Sequence, residues 1–256
     1  MAASLLGQAD PVPYRYWPAK KESPFLLVSD HAGRETPEQL GFMGIPSHEW
    51  ERHIAYDIGI KKVGHHLRDC LGCALIEQVY SRLVIDSNRA PGHATSIPAV
   101  SDATPIPANE GLTAEQRRRR EEEILHPYHD KIEELVKERA GQEMLFVSLH
   151  SFTPAMADGS PRPWQIGLLH DHDKETAHLM RSLLLEDDPS LHVGDNEPYI
   201  LNRANEYTVP YHAASRHLPA LEIEIRQDLI TDETGQREWG ERLARLLPRL
   251  WVAKRG

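Results

Sequence analysis

Residues 144–154 read Met-Leu-Phe-Val-Ser-Leu-His-Ser-Phe-Thr-Pro. An apolar run over 144–147 leads into Ser148, His150, Ser151 and Thr153 and stops at Pro154. A short apolar run closed by polar residues reads as a buried strand that delivers its last side chains to one edge of a sheet. In open α/β sheets ligands bind at that edge. Taken alone, His150 reads as a hydrogen-bonded core histidine. The remaining strands decide whether it is alone.

Working outward, residues 25–29 (FLLVS) form a second compact apolar run, and it ends at Asp30-His31, two metal-competent side chains in a small-residue turn. Residues 74–80, 83–85, 165–169 and 221–225 read as further strands. Between them lie helical patterns. Trp50, Ile54, Ile58, Val63 and Leu67 predict a helix over 47–71. Residues 113–140 predict another, opened by a Thr113/Gln116 capping box. The run Arg117–Arg120 followed by Glu121–Glu123 sets opposite charges four apart and reads as a solvated helix face. Helices are also expected over 174–185, from Tyr207 and over 234–251. Alternating strands and helices predict an α/β chain around a mixed, mostly parallel sheet. Residues 1–24, with four prolines, read as an irregular N-terminal arm, and 25–256 as a single domain. Residues 90–112 form a long excursion of the kind that serves as a lid.

Composition narrows the function. The formal charge of −10 disfavours general nucleic-acid or anionic-membrane binding. No apolar run reaches membrane-spanning length, and the N-terminus lacks a signal-peptide pattern. The expectation is a soluble, cytoplasmic protein of unspecified oligomeric state. Cys70 and Cys73 form one CxxC between apolar flanks, which reads as two buried thiols.

Three predicted strands end in chemistry: Asp30-His31, His150, and Glu224 followed by Arg226. Two histidines and a carboxylate with an open position form a common catalytic zinc set, and a further carboxylate can take a proton from water. Each has a plainer reading. His31 also fits a capping or solvated histidine. Arg82 and Arg89 fit structural ion pairs with Asp86, Glu77 or Glu224. Glu222 and Glu224 share one strand face, which also suits a solvated edge strand. His65, His66, His170 and His172 read as surface groups. From the residues alone, the chain is an α/β protein with the makings of a metallohydrolase for an anionic substrate.

Several tracts, in order, resemble the N-formylglutamate amidohydrolase (deformylase) family: 29–37 (SDHAGRETP), 53–59 (HIAYDIG), 81–89 (SRLVIDSNR), 149–154 (LHSFTP), 162–167 (RPWQIG), 196–199 (NEPY) and 222–230 (EIEIRQDLI). That family is similar in fold to zinc carboxypeptidases and aspartoacylase, which implies a three-layer α/β sandwich. The resemblance implies that His31 and His150 are ligands of one Zn²⁺, and that Asn88 and Arg89 grip a substrate carboxylate. It implies Glu224 as the catalytic glutamate, with Arg82 polarising the scissile carbonyl or pairing with substrate. Carboxypeptidases carry the acidic ligand three residues after the first histidine, where this chain has Arg34. Asp57 is the preferred acidic ligand and Glu35 the alternative. Ser151 and Thr153 then become supporting groups. The implied reaction is zinc-dependent hydrolysis of an N-acyl amino acid, N-formyl-L-glutamate first. The alternatives are a related metallo-acylase or carboxypeptidase-like peptidase, or a non-catalytic metal- or carboxylate-binding protein.

Overall fold

A computed structural model describes residues 4–256. Its centre is a sheet of seven strands: β1 (Tyr14–Trp17), β2 (Phe25–Ser29), β3 (Ala74–Gln78), β6 (Leu145–Phe152), β7 (Ile166–Leu169), β8 (Val193–Asp195) and β9 (Ala220–Arg226). The spatial order is β1-β3-β2-β6-β9-β7-β8. The pairs β3/β2, β2/β6, β6/β9 and β7/β8 are parallel, whereas β1/β3 and β9/β7 are antiparallel. A separate hairpin joins β4 (Val100–Ser101) and β5 (Thr104–Pro105). The expected mixed, mostly parallel sheet is therefore present.

Helices cover both faces, which is why β6 is buried along its whole length and reads as a nearly continuous apolar run. Along β6, Leu145, Val147 and Leu149 face one layer made by α1 (Ile60–Leu71), α4 (Lys174–Asp187) and α6 (Glu233–Arg255). Phe146 faces the other layer, made by α3 (His126–Glu138) and α5 (Thr208–His212). Truncating a buried leucine such as Leu149 to alanine costs about 2–5 kcal/mol.

Several expectations change. The arm is not wholly irregular: Tyr14–Trp17 forms the edge strand β1. Of the helix expected over 47–71, only Ile60–Leu71 is α-helical, and Ser47–Glu51 is a 3₁₀ turn. Gly59 explains the break. It sits at φ +82°, and a Cβ there would lie 2.0 Å from the carbonyl oxygen of Ile230. The chain turns there, so 52–59 is a loop free to carry side chains to the sheet edge. Residues 83–85 form no strand. Their side chains fill a third apolar cluster beneath the loops, and the Leu83 and Val84 carbonyls accept from Asn109 and Arg120 rather than from a neighbouring strand. The long helix is present as α2 (Ala114–Arg120), a π-helical turn over Glu121–Leu125, and α3, with the Thr113/Gln116 capping box in place. Arg118 and Arg119 pair on its surface as expected, but Arg120 is buried and donates to Val84 O, Asn109 Oδ1 and Ala108 O. Cys70 is exposed and Cys73 buried, and neither is in a disulfide. No helix among the described residues is long and apolar enough to cross a membrane.

Candidate active site

The parallel strands β2, β6 and β9 bring their carboxyl ends to one edge. His31 follows β2, and His150 and Glu224 are register partners on β6 and β9. Successive strand residues alternate faces, so pairing Leu149 with Ile223 beneath the core leaves His150 and Glu224 side by side on the opposite face. Because β9 lies inside the sheet, Glu222 and Glu224 are buried rather than on a solvated edge. Opposite Glu224, Gly167 leaves room for the next loop: a Cβ there would lie 2.0 Å from Glu197 O. Loop 81–89 supplies Arg82, Asn88 and Arg89. A cavity of about 210 Å³ opens here, and its walls include His31, Arg82, Asn88, Arg89, His150 and Glu224.

His31, Asp57 and His150 are buried, and each offers a ligand atom within 4.8 Å of the other two. His31 Nδ1 lies 3.6 Å from Asp57 Oδ1, and His150 Nδ1 lies 3.0 Å from Asp57 Oδ2. Both rings are oriented from behind. His31 Nε2 donates to Asp86 Oδ1 at 2.7 Å, and His150 Nε2 lies 3.2 Å from Asp30 Oδ2. Asp30 is itself held by the hydroxyls of Tyr128 and Thr208, both 2.8 Å away. The Asp57 carboxylate takes the Ser151 amide at 3.0 Å, and its own amide donates to His31 O.

This donor set fits a divalent transition metal. The far nitrogens of both rings rest on carboxylates, the arrangement that orients metal-binding histidines. Their near nitrogens converge on a third carboxylate, and His31 Nδ1 is buried without a hydrogen-bond partner among the described residues. Burial disfavours charge on His31 and His150, yet facing acids raise both: chiefly Asp86 for His31, Glu222 and Asp30 for His150. Burial likewise works against Asp57, but the two rings hold it well below the usual carboxylate range. The pocket thus attracts positive charge. Glu35, the alternative ligand, is exposed and belongs to no such cluster among the described residues.

Arg82 is already engaged. It donates to Asp86 at 2.9 Å and to Asp57 at 3.3 Å. Arg89 and Asn88 both donate to Glu206, the arginine at 3.1 Å. Asn88 Oδ1 accepts the amides of Tyr207 and Thr208, each at 3.0 Å. Burial, reinforced by the charges of Asp57 and Glu206, pushes Glu224 up to about 8, while His150 and Arg82 pull the other way. Its Oε2 has no hydrogen-bond partner among the described residues.

Glu206 was missed by the sequence reading, as were His53 and Tyr199, which also line the cavity. His53 and Tyr199 lie inside the tracts 53–59 and 196–199, which offered a signal; Glu206 lies in a loop without pattern. A larger cavity of about 340 Å³ lies behind Asp57, bordered by Arg15, Lys61, Lys62 and Glu77, but includes neither histidine of the metal cluster.

Residues 23–231 match the family described as N-formylglutamate amidohydrolase. The gene product Atu2144 from Agrobacterium tumefaciens is 31% identical, with a TM-score of 0.93 over 98% of this chain and 100% of that one. An N-formylglutamate amidohydrolase from Ralstonia eutropha JMP134 is 21% identical, with a TM-score of 0.74 over 96% of this chain and 100% of that one, a likeness of fold. No curated protein sequence matches significantly. With most of its length matched, the chain belongs to the N-formylglutamate amidohydrolase family, hydrolases that act on amide bonds.

Proposed function

We propose that the protein hydrolyses N-formyl-L-glutamate to L-glutamate and formate and that it depends on zinc. The observation that carries this reading is the placement of Glu224 in register with His150, on the wall of the cavity that holds the His31–Asp57–His150 cluster.

In this reading His31, Asp57 and His150 would hold one Zn²⁺, which when bound would supply Lewis acidity toward water and the amide carbonyl. Glu224 accepts a proton from the attacking water and passes it to the departing amine. Burial has stripped this carboxylate of solvent, and the positive charge of Arg82, with that of a metal the cluster would hold, favours the ionised form a base requires. Arg89 donates through Nη1 to Glu206 and to Asn88 O and lines the cavity, which leaves its Nε and Nη2 N–H groups to take an anionic substrate. Asn88 fixes that loop through Tyr207 and Thr208. Arg82, buttressed by Asp57 and Asp86, presents positive charge toward the developing oxyanion.

The test is a hydrolysis screen of N-formyl, N-acetyl and dipeptide substrates with zinc supplied. N-formyl-L-glutamate should turn over fastest. A preference for N-acetyl or dipeptide substrates would reassign the protein to a metallo-acylase or peptidase, and loss of turnover across all N-formyl amino acids would remove the proposal. Metal analysis of the same sample should show one equivalent that is lost in His150→Ala.

A further inference from the structure

Away from the cavity, His170, His178 and Asp195 gather at the far side of the sheet. They come from three elements: His170 directly follows β7, His178 lies on α4, and Asp195 ends β8. His170 Nε2 lies 2.6 Å from Asp195 Oδ1, and His178 Nε2 lies 3.2 Å from Asp195 Oδ2. All three potential ligand atoms fall within 4.8 Å of one another. The two rings meet edge-on, with centroids 5.9 Å apart. Expected to be a surface group, His170 has a side chain only 9% exposed, while His178 and Asp195 stay open to solvent at 48% and 45%. The cluster thus has a buried floor and an open outer side.

We propose that these residues form a second transition-metal site, separate from the cavity cluster. The donor set is two imidazole nitrogens and one carboxylate oxygen, which suits Zn²⁺, Ni²⁺, Co²⁺ or Cu²⁺ and disfavours Mg²⁺ and Ca²⁺. Ligand atoms about 2.0–2.1 Å from a tetrahedral ion stand roughly 3.3 Å apart. The His178 Nε2–Asp195 Oδ2 spacing of 3.2 Å already matches, while His170 Nε2 stands 2.6 Å from the other oxygen, Oδ1, so the exposed carboxylate rotates to offer a single oxygen to an ion between both rings. To ligate, each neutral ring presents an unprotonated Nε2 and keeps its one proton on Nδ1, any further proton passing to solvent, and the open side leaves a position for water. No lysine or arginine pairs with Asp195 among the described residues, so its carboxylate meets only the two imidazoles.

The position suggests what the ion does. The main-chain amide of His170 donates to Asn196 Oδ1 at 2.8 Å, and Asn196 immediately follows Asp195 on the way to Tyr199, which lines the cavity. An ion here ties α4 to the start of that segment. The site is structural, and it shares no residue with the proposed catalytic zinc cluster.

The experiment is Co²⁺ and Zn²⁺ titration of the chelator-stripped full chain, read by equivalents bound and by melting temperature. Five proteins are compared: wild type, His178→Ala, Asp195→Asn, His150→Ala and the His150→Ala/His178→Ala double variant. Wild type should take up two equivalents, each single variant one and the double variant none. Zinc should still raise the melting temperature of His150→Ala, and adding His178→Ala should abolish that rise. If the cavity cluster holds no metal, wild type takes one equivalent that survives His150→Ala and is lost in His178→Ala; the surface site then stands while the catalytic reading falls. Metal uptake unchanged by both His178→Ala and Asp195→Asn, or binding only at millimolar metal, would overturn the proposal. His178 is solvent-exposed, so its removal leaves the core intact, and circular dichroism of the variant checks this.

Discussion

Asp86 holds His31 from behind: one carboxylate oxygen lies 2.7 Å from His31 Nε2, while the other accepts from Arg82 at 2.9 Å. Burial alone would push this carboxyl up, but Arg82 and His31 hold it well below the usual range, so it stays ionised. An ionised acceptor keeps the His31 proton on Nε2 and leaves Nδ1 facing Asp57. Asp86→Asn keeps the shape and removes the charge. We expect zinc affinity at the cavity cluster to fall by about 10–100-fold, the usual cost of losing a carboxylate behind a ligating histidine. Competition against a chromophoric chelator measures this, and unchanged affinity would show that Asp86 does not orient the ring.

Glu224 is the only group in the proposed reaction asked to carry a proton. Glu224→Gln should therefore leave zinc content intact while lowering kcat by about 10²–10⁴-fold. Steady-state kinetics and metal analysis on one preparation separate the two effects. Wild-type turnover in Glu224→Gln would sink the assignment; loss of the metal along with activity would instead make this residue part of the metal site.

The central strands were legible in the sequence because helices bury them on both faces, which leaves unbroken apolar runs such as 25–29 and 144–147. Their polar ends, His31 and His150, were legible for the same reason. Apolarity alone misled at 83–85, where the side chains fill a core beneath a loop and the backbone bonds elsewhere. It also concealed the break at Gly59, which is set by a contact with the distant Ile230 carbonyl. Asp57 became a candidate only through the resemblance, since a loop delivers it to His150 from 93 residues away. Glu206 left no local trace: it meets Asn88 across 118 residues, and neither periodicity nor spacing encodes such an encounter.

Arg89 and Glu206 make opposite predictions. Arg89→Ala removes charge-assisted hydrogen bonds worth about 1.5–3 kcal/mol, so KM for N-formyl-L-glutamate should rise by about 10–150-fold with a smaller change in kcat. Glu206→Gln removes negative charge from the cavity wall and keeps an acceptor for Arg89, so KM should fall severalfold. Measuring both variants with N-formyl-L-glutamate and a singly charged N-formyl amino acid isolates the charge term: the benefit of Glu206→Gln should be larger for the doubly charged substrate. Should Glu206→Gln raise KM as much as Arg89→Ala does, holding the guanidinium in place matters more than charge.

A second buried pair sets a pH limit on the fold. His129 and His212 stack 5.2 Å apart, with His129 Nδ1 and His212 Nε2 separated by 2.9 Å. His129 Nε2 donates to Ser87 O, so His129 Nδ1 accepts from His212 and both rings are neutral. Burial lowers both histidines, and the proximity of His129 helps drive His212 well below its ordinary 6.5. The unfolded chain therefore takes up protons near pH 6.5 that the folded chain refuses, and stability falls as pH drops below that value. The limiting slope is about 1.4 kcal/mol per pH unit for each such histidine. His212→Gln retains an amide donor for His129 but cannot titrate. Denaturant unfolding of wild type and variant from pH 7.5 to 5.5 should show a stability difference that shifts toward the variant as pH falls. Taking the difference at each pH cancels the opposing contribution of His31 and His150, whose raised values favour the folded state in acid. Parallel curves would mean that His212 accepts a proton in the folded protein, with Glu133, 3.6 Å from its Nδ1, as the partner that stabilises it.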